Sequence, residues 1–188
     1  MILEGIVTTI SPEGEINVAP MGPVVDEGLT SFRLRPFQTS TTFRNLKQSH
    51  QGVLHIVDDV LLIARAAIGK LTECPATFAA SRVTGRVLSD ACRYFEFEVT
   101  TCDDSQLRAE LDVRIVHQAT LRDFWGFNRA KHAVLEGAIL ATRLHLVGAD
   151  SILADFARLQ SAVDTTAGPR EQEAFELLKH YVSEQRQT

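Results

Sequence analysis

Between residues 91 and 117 the chain alternates apolar and polar side chains with a period of two. Phe95, Phe97 and Val99 interleave with Glu96, Glu98 and Thr100, and Leu107, Ala109, Leu111, Val113 and Ile115 interleave with Arg108, Glu110, Asp112 and Arg114. Successive side chains of a strand point to opposite faces. The pattern therefore predicts two half-buried antiparallel strands, with the turn at Cys102 to Gln106. Beyond Asn128 the period lengthens. Ile152, Phe156, Leu159 and Val163, and then Phe175, Leu178 and Val182, recur at helical spacing. Strands first and helices afterwards is the order of an α+β fold, because a doubly wound sheet would alternate them. The predicted division is a β-rich domain over 1–120 and a helical region over 121–188.

Shorter signals fill in the first half. Residues 2–21 read as a β-hairpin around Ser11-Pro12-Glu13-Gly14, which matches a type I turn position by position. Pro20 donates no N–H, so its strand must leave the sheet there or lie on its edge. Leu29 to Leu34 and Val53 to Val57 are further strand candidates. The hydroxyl cluster Thr39 to Thr42 offers N-caps for a helix ending near Ser49. Asp58-Asp59 caps a helix from Val60 to Ile68, ended by Gly69. Asn128 caps one long helix to about Val147, stopped by Gly148, and a final helix runs from Glu171 to about Arg186.

Charge and composition exclude several classes. A chain of 188 residues with 45% apolar side chains has enough core to fold without a metal or disulfide staple. Nineteen basic against 24 acidic residues leave a net charge of −5, which speaks against nucleic acid held by the overall field. Aromatic residues, at 7%, are too few for a base-stacking platform. No apolar run reaches the roughly 18 residues needed to span a membrane, and the N-terminus has no signal-peptide pattern. Cys74, Cys92 and Cys102 are odd in number and form no Cys-x-x-Cys pair, so idle thiols in a reducing cytoplasm are expected. No metal site is predicted.

Three clusters carry possible chemistry. Asn17-Val18-Ala19-Pro20-Met21-Gly22 puts small residues, a proline and a glycine on one strand, leaving backbone open to a flat ligand; a strand that simply kinks is the alternative. Arg35, Phe37, Thr39, Ser40, Thr41, Thr42 and Asn45 combine a guanidinium, hydroxyls and a helix start, which suits a phosphate. An ordinary capped helix beside a surface arginine has the same pattern. Trp125, Arg129 and Lys131 lie in the segment Phe124-Trp125-Gly126-Phe127-Asn128-Arg129-Ala130-Lys131-His132, where an aromatic could cover a ring and a cation meet an anion; core aromatics and solvated cations are the other reading. His132 stands four residues before Glu136, in reach of a structural contact. Asp103-Asp104 reads as a turn, and Arg65 either reaches a phosphate or snorkels to the surface.

Taken in order, the Asn-Val-Ala-Pro-Met-Gly strand, the Leu-Arg-Pro-Phe segment with its Ser/Thr run and Asn45-Leu46, Val57-Asp58-Asp59, and Gly-Phe-Asn-Arg-Ala-Lys-His-Ala-Val-Leu-Glu resemble the DUF447 family. That family is placed in the FMN-binding split-barrel superfamily, alongside flavin reductases and pyridoxamine-phosphate-oxidase-like proteins. The resemblance implies a six-stranded split β-barrel with a helical C-terminal extension, forming a homodimer with FMN near the subunit interface. It places Asn17 to Gly22 along the isoalloxazine and the phosphate at Thr42 and Asn45. Flavin reductases carry Lys-Asp-Thr where this chain has Ser40-Thr41-Thr42, so the cation must come from elsewhere, Arg35 or Arg129. The implied function is an FMN-dependent oxidoreductase acting on an unidentified small molecule. A non-catalytic flavin carrier and a cofactor-free β-barrel binding module are the alternatives.

Overall fold

The computed structural model describes residues 1–185. Arg186, the expected end of the last helix, lies outside the described residues. The chain divides into two compact units. One comprises residues 1–57 and 73–124, the other residues 58–72 and 125–188.

The first unit is built on an antiparallel sheet. In chain order its elements are β1 (Gly5–Ile10), β2 (Ile16–Met21), β3 (Val24–Val25), β4 (Ser31–Leu34), α1 (Thr41–Ser49), β5 (Gln51–Ile56), β6 (Thr77–Ala79), β7 (Arg86–Leu88), β8 (Arg93–Asp103) and β9 (Glu110–Thr120). Seven strands form one sheet in the order β2-β1-β5-β8-β9-β4-β3, while β6 and β7 pair as a separate ribbon. The sheet therefore holds one strand more than the expected six, the addition being the two-residue β3. Register shifts between Glu96 and Phe97 and between Val99 and Thr101 sharpen the twist of β8 against β9.

The period-two pattern is realised as a two-faced sheet. Val7, Phe32, Leu34, Leu54, Phe95, Phe97, Leu111 and Val113 close the main core, into which α1 inserts Phe43 and Leu46. The opposite face carries Val53 and Tyr94, packed against Val83 and Val87 of the ribbon and its loop. The turn of the long hairpin falls later than predicted, because β8 continues to Asp103 and β9 begins at Glu110.

The first hairpin follows its turn chemistry. Gly14 donates its N–H to the carbonyl of Ser11 at 2.9 Å, and its φ of 90° is one that glycine adopts without strain. α1 is capped by Ser40, whose hydroxyl accepts the N–H of Phe43 at 3.1 Å and donates to the carbonyl of Phe37 at 2.7 Å.

The second unit is helical. It holds α2 (Val60–Ala67), α3 (Arg129–Thr142), α4 (Leu144–Val147), α5 (Ala149–Thr166) and α6 (Pro169–Gln185). Of the two aspartates before α2, Asp59 is the cap, accepting the N–H groups of Leu61 and Leu62. The single long helix expected from Asn128 to Val147 is broken. Arg143 donates its N–H to Leu140, three residues back, and the Thr142 hydroxyl bonds to the Ile139 carbonyl, so the turn tightens and α3 ends. α3 is lined with Ala130, Ala133, Gly137, Ala138 and Ala141, which allow close packing. Phe156 of α5 and Phe175 of α6 are fully buried, with ring centroids 5.0 Å apart.

Candidate functional site

β2 forms one edge of the sheet, and its ladder with β1 determines which backbone groups are open. The bonds from Ser11 N to Glu15 O and from Leu3 N to Pro23 O bracket the ladder in a single register. Gly5–Met21, Val7–Ala19 and Thr9–Asn17 are therefore the hydrogen-bonded pairs. The backbone groups of Ile16, Val18 and Pro20 turn away from β1, at the open edge. Pro20 occupies an outward position, where its missing N–H breaks no bond.

The side chains alternate accordingly. Asn17, Ala19 and Met21 share a face with Val7 and Thr9, and this face meets α1. The Asn17 side-chain amide donates to Thr42 Oγ1 at 3.0 Å and to Thr9 Oγ1 at 3.3 Å. Asn45 donates to the same Thr9 oxygen at 3.0 Å. Thr9, Thr42 and Asn45 are 1%, 2% and 5% exposed, whereas Asn17 is half-buried. The structure thus brings Asn17, Thr42 and Asn45 into one polar cluster. Gly22 has a different reason for being glycine: a Cβ there would stand 3.0 Å from Ile2 Cγ2 and 3.2 Å from a Glu4 carboxylate oxygen.

The start of α1 presents exposed groups beside that cluster. Thr39 and Thr41 are exposed, and the first-turn N–H groups have no partner within the helix. Arg44 donates to the Thr39 carbonyl at 2.7 Å and to Thr41 Oγ1 at 2.9 Å, which fixes a guanidinium at the positive end of the helix dipole. Arg35 is half-buried and makes no side-chain hydrogen bond or ion pair among the described residues. Phe37 is 41% exposed; the Arg108 guanidinium lies over its ring, 3.9 Å from the centroid, and donates to the Arg35 carbonyl at 3.2 Å. A cavity of about 230 Å³ lies between the β1–β2 turn at Ile10, Ser11 and Pro12, the last turns of α1 at Asn45, Gln48 and Ser49, and Thr84.

Trp125, Arg129 and Lys131 belong to the helical unit. Trp125 and Phe127 are 87% and 94% exposed, so neither is a core residue. Trp125 donates its backbone N–H to buried Asp58 at 3.3 Å. The Arg129 and Lys131 side chains make no hydrogen bond or ion pair among the described residues. His132 stacks on Phe127, at 6.1 Å between centroids. Arg65 pairs with Glu173 at 2.6 Å, and Asp104 with Lys47 at 2.6 Å.

Comparison with known proteins completes the picture. The family model described as "Protein of unknown function (DUF447) N-terminal domain" matches residues 3–122, and that described as "Protein of unknown function (DUF447)" matches residues 128–180. The chain belongs to the DUF447 family. An FMN-bound DUF447 protein from Methanosarcina mazei aligns with a TM-score of 0.82 at 23% identity, over 96% of this chain and 94% of that one. The styrene monooxygenase flavin reductase of Pseudomonas putida S12 aligns with a TM-score of 0.53 at 13% identity, over 62% and 77%. An FMN-binding protein from Thermus thermophilus with bound 1-cyclohex-2-enone aligns at 0.52 and 12%, over 63% and 70%. The search of curated proteins returned no match. At these identities the likeness is one of fold: this DUF447 chain has the FMN-binding split-barrel fold with C-terminal helices.

Two residues at the β2–α1 cluster, Thr9 and Arg44, escape a reading of the sequence. Thr9 stands in an apolar strand as a good strand former. The available signal was the pair Thr8-Thr9, since both faces of a central strand are buried and each hydroxyl then needs a partner. Arg44 is the fourth residue after the Ser40 cap, the spacing from which a side chain reaches back over the first helical turn.

Proposed function

We propose that this DUF447 protein binds FMN at β2 and the start of α1, and is an FMN-dependent oxidoreductase acting on a small molecule. The observation that carries the reading is the bond between Asn17 and Thr42, which holds an open strand edge beside a helix N-terminus. The donor set suits both ends of the cofactor. Hydroxyls, free N–H groups and a guanidinium at the start of α1 suit a phosphate dianion. The outward N–H groups of β2, with Asn17, suit the polar edge of a ring system. When bound, FMN supplies the redox chemistry. The chain's part is to bind and orient it, and among the described residues no cluster able to hold a metal ion accompanies this site.

The proposal extends to a cytoplasmic homodimer with the cofactor near its interface, and to Trp125, Arg129 and Lys131 as further ligand contacts. Two observations are consistent with it. Among the described residues no helix is long and apolar enough to cross a membrane. Cys74 and Cys102 are free thiols.

The test is a mass spectrum and visible spectrum of the protein as isolated, followed by titration with FMN. A yellow protein that bleaches on reduction is expected; a colourless one that ignores added FMN refutes the reading. Rapid mixing with NADH or NADPH and a panel of acceptors then separates an enzyme from a carrier. A bound flavin reduced no faster than free FMN excludes the enzyme.

A further inference from the structure

The polar cluster at β2 and α1 has a direction. Thr9, Thr42 and Asn45 are nearly sealed, and only Asn17 is half-exposed. Thr42 Oγ1 already accepts the Asn17 amide at 3.0 Å and is closed off from solvent, so it offers almost no surface to a strongly hydrated phosphate dianion. The exposed groups at that helix start are Thr39, Thr41 and Arg44.

We propose that Thr42 is a positioning residue: with Thr9 it holds the Asn17 carboxamide at the edge of β2, where Asn17 meets the ring of the bound flavin, and it does not bind the phosphate. The assignment rests on the FMN reading given above. Its physical basis is the inventory of an asparagine amide, which has two donor hydrogens and one acceptor oxygen. The amide nitrogen is engaged by two threonine oxygens, so Asn17 Oδ1 is the end left for a ligand. The flavin ring carries one imide N–H to donate to it. An amide already held in place loses little rotamer freedom on binding, so the contact is stronger than a free surface asparagine would give. Asn45 supports the arrangement from behind by sharing the Thr9 oxygen.

The test compares FMN with riboflavin, which has the same ring and no phosphate. Dissociation constants for both are measured on the wild-type protein, Thr42→Val, Thr42→Ser, Asn17→Ala and the double variant Thr42→Val/Asn17→Ala. Thr42→Val is expected to weaken both ligands by about tenfold, leaving their ratio unchanged. Thr42→Ser restores the hydroxyl and returns both to near wild-type affinity. Asn17→Ala weakens both, and adding Thr42→Val to it produces no further loss. If Thr42→Val weakens FMN alone, Thr42 touches the phosphate and the proposal is wrong. If Thr42→Val binds both ligands normally, Thr42 does nothing and the proposal is equally wrong. Should the valine variant misfold, Asn17→Ala decides the matter through the same ratio, since a drop confined to FMN contradicts a ring contact. Wild-type protein that binds neither ligand overturns the FMN reading itself, an outcome distinct from all of these.

Discussion

His55 accepts the backbone N–H of Leu88 at its Nε2, across 3.1 Å. Its Nδ1 lies 3.1 Å from the Ile6 carbonyl, so the neutral ring carries its proton on Nδ1 and joins β1, β5 and β7. Burial holds the imidazole at a pKa of about 4, against 6.5 for a free one, and the bond to Ile6 opposes that only in part. Below pH 6.5 the unfolded chain takes up a proton that the folded chain refuses. Stability is therefore full above pH 6.5 and falls as the pH drops toward 4. A shift of that size corresponds to roughly 3 kcal/mol. Urea midpoints measured between pH 7.5 and 4.5 should fall accordingly, and the loss over this window should be much smaller in His55→Gln.

Glu96 is fully buried and accepts three successive backbone N–H groups, those of Ser81 at 2.8 Å, Arg82 at 2.6 Å and Val83 at 3.2 Å. The carboxylate fills an anion-binding concavity made by the chain itself. Removing it in Glu96→Ala strands those donors and should destabilise the protein by about 3 kcal/mol or more. Glu96→Gln keeps one acceptor oxygen and should lose less. Amide exchange at residues 81–83 should accelerate in Glu96→Ala beyond the change elsewhere in the sheet. Exchange that rises uniformly instead would mean that Glu96 does not anchor this loop.

The ribbon that Glu96 anchors shows where the sequence stops being readable. β8 and β9 announce themselves because one face is buried and the other wet, so burial writes a period of two into the residues. β6 and β7 are three residues each, too short for a period. They are held by side chains far away in the chain: the Thr8 hydroxyl on the Arg86 carbonyl, Gln51 on the Thr84 N–H, His55 on Leu88, and Glu96. No local pattern encodes such bonds. The hairpin tip slipped for a related reason, since Thr101 to Asp103 pair in the ladder while exposed, and alternation there carries no burial signal. In the candidate site, Asn17, Thr42 and Asn45 were visible as residue types in a recognisable order. Their contact was not, because 25 residues separate Asn17 from Thr42 and the sheet supplies the closure.

Gly137 tests how tightly the helical unit is packed. A Cβ there would stand 2.9 Å from Cζ and 3.1 Å from Cε1 of Phe156, a ring fully buried and packed on Phe175. Alanine in a helix interior is favoured over glycine by about 1 kcal/mol, but overpacking a closed core costs about 1–3 kcal/mol. The clash should win, so Gly137→Ala should lower the thermal midpoint. Gly52→Ala should be worse, because its Cβ would lie 2.6 Å from Phe97 Cζ in the main core of the sheet. A Gly137→Ala protein that melts higher than wild type would show that the Phe156 ring yields freely.

Arg44 is the cation most firmly placed to meet a phosphate, since its two bonds to Thr39 and Thr41 hold the guanidinium over the first turn of α1 while leaving other N–H groups free. Arg35 has no such anchor. A charge-assisted hydrogen bond to a partly exposed phosphate contributes on the order of 1–2 kcal/mol, or about tenfold in affinity. Arg44→Ala should therefore weaken FMN by about tenfold and leave riboflavin nearly unchanged. Thr41→Val should act in the same direction by a smaller factor, because it removes one hydroxyl and one of the two bonds that hold Arg44. Salt should narrow the FMN preference of the wild-type protein more than that of Arg44→Ala, since screening acts on the charged contact. Calorimetric titration of both ligands at two ionic strengths measures all of this. An Arg44→Ala protein that keeps the wild-type preference for FMN over riboflavin would move the phosphate away from the start of α1, and with it the orientation in which the ring is taken to lie beside Asn17.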